Sequence, residues 1–225
     1  MIFSIENKHD KDILSLTELS DGKLLSCGKD GKINIYEFTS FKKSSKKPID
    51  GFILVQTLTE KEGLNGKVFK CIELNNNYLV SGDTLNVIVW KKNLSKENYT
   101  LYYSIKSDAK ENIYSLLELN KETFVAYRSS GNLSFYNSES FTENGKISFN
   151  LEIPLNNKTF RENLCLINQE VFAADGVNRI YLISISRMKL IKDITFDNYE
   201  NLNAFCSLND DKGLRAACSK KSTKN

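Results

Sequence analysis

The chain has 225 residues, with 31 Lys plus Arg against 28 Asp plus Glu and a net charge of +3. Some 40% of the residues are hydrophobic and 26% charged, enough apolar material for a packed core, which excludes wholesale disorder. Two prolines exclude a proline-rich linker, one histidine excludes any metal site or triad that needs two, and the charge balance is too slight to argue for nucleic acid or membrane as a partner.

The N-terminus, Met1 to Asp10, has no basic start followed by a long apolar run, so it does not read as a signal peptide. The longest apolar stretches are four to six residues and are interrupted by serine, too short to cross a bilayer. The first strand pair follows: Ile13–Leu19, a Ser20-Asp21-Gly22 turn, then Lys23–Gly28. The same strand-turn-strand pattern returns at Val68–Gly82, Ile113–Ala126 and Leu164–Ala174, and in part at Leu202–Cys218. The residue before each polar turn marks the period: Leu19, Leu74, Leu119, Ile167 and Leu208, at spacings of 55, 45, 48 and 41. Short apolar runs rich in Ile, Val, Leu, Phe and Tyr between Asn, Asp and Gly turns read as strands. Helical repeats of this period need runs of ten or more residues, and none occurs.

Each second strand leads through a short turn to a third: Ile33–Tyr36, Val87–Trp90, Leu133–Tyr136 and Arg179–Ile183. The turns carry Asp30-Gly31, Ser130-Gly131 and Asp175-Gly176, which supply the required backbone geometry. A fourth, more polar run closes each unit: Phe52–Leu58, Tyr99–Ile105, Ile147–Ile153 and Leu190–Phe196. The expected fold is therefore all-β, built of four-stranded antiparallel units at 9–58, 63–105, 108–153 and 158–196, with a partial fifth at 200–219. Residues 1–225 are expected to form a single domain.

Four such strands per unit resemble a blade of the WD-repeat β-propellers. The first unit carries the resemblance furthest. His9 lies four residues before Ile13, Ser26 four before Asp30, and Asp30 six before Tyr36. The resemblance implies a structural hydrogen-bond cluster of His9, Ser26 and Asp30 near Tyr36, which stands where the family has tryptophan. The second unit keeps Ser81, Asp83 and Trp90 without a histidine; the third and fourth keep the strands and turns. The family usually closes its ring with an N-terminal strand, here Ile2–Ile5, so the chain is either an open arc or a five-bladed ring.

The five cysteines, Cys27, Cys71, Cys165, Cys206 and Cys218, form no CxxC pair and lie in apolar runs, which reads as buried thiols in a reducing cytosol. The basic run Lys42–Lys47 reads as a solvated loop, with a nuclear-import signal or a patch for an anionic surface as its sharper alternative. No Gly-rich phosphate loop or paired metal ligands occur, so no cofactor, metal or catalytic residue is expected. The resemblance implies a non-enzymatic scaffold that binds other proteins or peptides. The alternatives are a propeller-type enzyme and a truncated fragment without independent function. One loop face would carry Lys11, Asp12, Lys67, Asn112 and Arg161, with Arg128 and Asn178 in its turns. The opposite face carries the insert 37–51.

Overall fold

The computed structural model describes residues 8–41, 49–106, 111–148, 164–176, 179–195, 199–207 and 214–220, the last two stretches by backbone alone. The chain is all-β among these residues, apart from one 3₁₀ turn at Glu60–Glu62. It divides into two compact units, Met1–Ile113 and Tyr114–Asn225. No described helix is long and apolar enough to cross a membrane. The expected closing strand Ile2–Ile5, the Lys42–Lys47 run, Arg161 and Asn178 lie outside the described residues.

Unit 1 holds two four-stranded antiparallel meanders. The first comprises β1 (Ile13–Glu18), β2 (Leu24–Gly28), β3 (Ile33–Phe41) and β4 (Ile49–Leu58). The second comprises β5 (Lys70–Glu73), β6 (Tyr78–Gly82), β7 (Asn86–Asn93) and β8 (Asn98–Lys106). Alternation along the inner strands sets the packing. Leu25, Cys27, Ile33 and Ile35 of the first sheet join Cys71, Leu79, Ile88 and Trp90 of the second in one buried cluster. Each large aliphatic removed from water in this way contributes about 1.5–3 kcal/mol.

Polar contacts fix how these two sheets stack. Thr17 Oγ1 on β1 donates to the Cys71 carbonyl on β5 at 2.7 Å. At the other edge, Gln56 on β4 and the Tyr99 backbone on β8 exchange two bonds, at 2.7 and 2.8 Å. Asp21 in the β1–β2 turn accepts from Lys92 of β7 at 2.7 Å. Burial pushes the Asp21 carboxyl up, but the Lys92 and Lys23 ammoniums outweigh it and hold it at about 2. First strand thus lies over first strand, and fourth over fourth.

Unit 2 holds two more meanders: β9 (Ile113–Asn120) with β10 (Thr123–Arg128), β11 (Asn132–Asn137) and β12 (Glu143–Ser148), then β13 (Leu164–Leu166) with β14 (Val171–Gly176), β15 (Arg179–Ser184) and β16 (Lys189–Thr195). A two-stranded hairpin, β17 (Tyr199–Ser207) and β18 (Leu214–Lys220), completes it, with β17 close to β13. Leu119, Val125, Tyr127 and Phe135 pack with Phe172, Ala174 and Ile183 in a second core, and the Tyr127 hydroxyl donates to the Asp175 carbonyl at 2.7 Å.

One irregularity recurs in all four meanders. The register between third and fourth strands slips at Ile35/Tyr36, Val89/Trp90, Phe135/Tyr136 and Leu182/Ile183. The fourth strand carries the extra residue each time: Val55, Tyr102, Asn144 or Ile191. Such a bulge increases the local twist and blunts an edge strand. Three of these bulged residues are large and exposed.

The fourth strand of the third unit corrects the sequence expectation of Ile147–Ile153. It is Glu143–Ser148 that pairs with β11. The chain returns early because Asn137 Oδ1 accepts from the Glu139 and Ser140 amides, and Phe141 turns at φ +57° with its ring buried.

Candidate functional site

The loops before β1 and β5 meet the β2–β3 and β6–β7 turns at one end of unit 1. Lys29 N–H donates to the Asp12 carbonyl at 2.9 Å, Val68 N–H to Gly28 at 3.1 Å and Thr84 N–H to Asn65 at 3.3 Å. Gly31 meets Gly66 here: a Cβ on Gly31, whose φ is +75°, would stand 2.7 Å from the Gly66 carbonyl oxygen. A groove of about 300 Å³ opens here, lined by Asp30, Gly31, Lys32, the segment Thr59–Lys61, Leu64 and Gly66.

Beneath this end lies a buried cluster. His9 Nδ1 stands 2.9 and 3.0 Å from the two Asp30 carboxylate oxygens, and Nε2 stands 2.7 Å from Ser26 Oγ. A carboxylate only accepts, so Nδ1 carries the proton, and in the neutral ring Nε2 accepts from the Ser26 hydroxyl. Asp30 also accepts from the Asp10 and Lys32 amides, at 3.0 and 3.2 Å. Burial pushes its carboxyl up, but the His9 bond and these amides prevail and hold it below its ordinary value. Tyr36 is buried diagonally from Ser26 on the same sheet face, and its hydroxyl makes no hydrogen bond among the described residues. The structure thus brings His9, Ser26 and Asp30 into contact, with Tyr36 as apolar neighbour.

The second sheet solves the same problem with different donors. Asp83, fully buried, accepts from the Asn65, Leu85 and Asn86 amides at 2.7–2.8 Å. Burial raises its carboxyl above the ordinary range despite those three bonds. Trp90 Nε1 donates to Ser81 Oγ at 2.8 Å. The Asn65 backbone amide therefore acts toward Asp83 as the Asp10 amide acts toward Asp30. Sequence reading missed this donor, because a main-chain amide leaves no trace in residue type.

The expected face residues separate. Lys11 and Lys67 are exposed, without an ion pair among the described residues, and Asp12 is exposed and paired with Lys29 at 2.6 Å, which lowers its carboxyl. Asn112 is half-buried and precedes Ile113, whose amide donates to the Asp83 carbonyl at 2.9 Å. Arg128 corrects the expectation: it is 5% exposed, so it offers nothing to a partner on an open face. Its guanidinium turns inward, bonding Ser134 and Tyr136. A signal for this existed in the register, since Arg128 stands two residues after Ala126 as Asp83 stands two after Ser81.

Among the described residues no three His, Cys, Asp or Glu side chains are grouped to hold a metal ion. The chain matches no protein-family model and no curated protein.

Proposed function

We propose that the chain is a β-propeller-type interaction scaffold of WD-repeat character, whose braced loop end binds another protein or a peptide without catalysing a reaction. The observation that carries this reading is how unit 1 uses its polar side chains. Both ring nitrogens of His9 and the carboxylates of Asp30 and Asp83 are spent on holding turns in place. A general base needs a free lone pair facing a substrate, and these groups have theirs engaged within the fold. Rigid turns around a shallow groove, rimmed by exposed charges of both signs, suit a polypeptide surface.

The test is affinity capture with Lys11→Glu combined with Lys67→Glu. Both residues are exposed, so Tm should stay within about 2 °C of wild type. Recovery of bound partner should fall severalfold. Undiminished recovery with Tm preserved would place binding elsewhere and overturn the assignment of this face.

A further inference from the structure

We propose that the β10–β11 turn of unit 2 is a binding site for a small oxyanion, a carboxylate or phosphate group, received by the Arg128 guanidinium and the Ser130 hydroxyl. Arg128 ends β10 and is 5% exposed. Its Nε donates to Ser134 Oγ at 3.1 Å and one terminal nitrogen, Nη2, donates to the Tyr136 phenol oxygen. The other, Nη1, is buried and has no hydrogen-bond partner among the described residues. Two residues on, Ser130 Oγ is likewise buried and has none among them.

The charge balance makes this arrangement incomplete. A guanidinium does not shed its proton inside a protein. A buried charge without a counter-ion costs several kcal/mol. Yet no described carboxylate forms an ion pair with Arg128. Glu143, opposite Tyr136 on β12, is exposed and is not bonded to the guanidinium. Tyr136 brings no charge either, since burial pushes its phenol up against the downward pull of Arg128 and Ser134. In the second sheet of unit 1 the equivalent position is Asp83, a buried acid met by three amide donors. In unit 2 the sign is reversed and the donors outnumber the acceptors. An oxyanion supplies what is missing: negative charge, and lone pairs for the N–H groups of Nη1 and for one hydroxyl. Ser129 and Ser130 are half-buried, and Gly131 at φ +81° closes the turn.

The experiment is thermal unfolding of the full chain titrated with sodium phosphate, and separately with sodium acetate, at ionic strength held constant with chloride. Binding predicts a Tm rise that grows with the logarithm of anion concentration above Kd and reaches about 3–6 °C at ten times Kd. A response to phosphate alone assigns a phosphate group, and a response to acetate a carboxylate. A general salt effect would instead be the same in the Arg128→Gln and Ser130→Ala variants as in wild type. Arg128→Gln is expected to abolish the response. Should that variant fail to fold, Ser130→Ala keeps the hydrophobic framework and should weaken apparent affinity severalfold. No Tm rise with either anion beyond that of chloride at equal ionic strength, or one that Ser130→Ala and Arg128→Gln leave unchanged, overturns the proposal.

Discussion

Replacing Asp30 by alanine tests whether the buried cluster beneath the loop end holds unit 1 together. The substitution removes the acceptor for His9 Nδ1–H at 2.9 Å and for the Asp10 and Lys32 amides at 3.0 and 3.2 Å. Only the first of these donors is fully shut off from water: the His9 side chain is 0% exposed and that of Asp30 3%. The Asp10 amide is at the surface and can turn to solvent. One charge-assisted bond lost, with a buried donor stranded, amounts to about 1–3 kcal/mol. For a chain of this length that is a fall in Tm of about 2–12 °C. Urea unfolding should show a lower midpoint at unchanged slope. The pH dependence adds a sign. The folded Asp30 carboxyl lies below its ordinary value, so its contribution is complete above about pH 4 and is lost as pH falls through the lower folded value. The penalty of Asp30→Ala should therefore be full at pH 7 and shrink as pH falls below about 4. A midpoint identical to wild type at pH 7 would refute the reasoning and leave Asp30 a solvated turn residue.

Asp83 should behave with the opposite sign: burial raises its folded carboxyl, so its contribution is present below about pH 4 and declines as pH rises through the raised value. The stability penalty of Asp83→Asn should accordingly be larger near pH 4 than at pH 7, and a penalty that grows with pH would contradict this. Trp90 is the only tryptophan and is fully buried, so native emission should be blue-shifted, and Trp90→Phe, which strands Ser81 Oγ, should cost about 1–3 kcal/mol in chemical unfolding. Gly31→Ala should destabilise by about 1–3 kcal/mol, because φ +75° disfavours a side chain and its Cβ would meet the Gly66 carbonyl. Burial pushes the Cys27 thiol up to about 12 and holds that of Cys71 well above its ordinary value, so mass spectrometry should find neither alkylated by iodoacetamide in the native state at pH 8, and both alkylated in urea.

Much of the architecture was legible in the residues because its causes are local. Short β-branched and aromatic runs between Asp-Gly, Ser-Gly and Asn-rich turns specify antiparallel strands, and their recurrence from Leu19 to Leu208 specifies repeated sheets. The meeting of His9, Ser26 and Asp30 was also readable, through the family pattern, since their spacings to Ile13 and Tyr36 encode which loop reaches which turn. What only the tertiary structure decided depends on where neighbours stand. The slipped register at Val55, Tyr102, Asn144 and Ile191 lies in how each third and fourth strand pair, and no residue type announces it. The donor to Asp83 is the amide of Asn65, a group every residue but proline possesses. Arg128 reads in sequence as a surface charge in a turn; it is buried because β10 is packed along its whole length, and the fold turns its guanidinium toward Ser134 and Tyr136. Alternating hydrophobicity determines that a strand has an inside face, but whether a charged residue at its end lies on that face is settled by the packing around it.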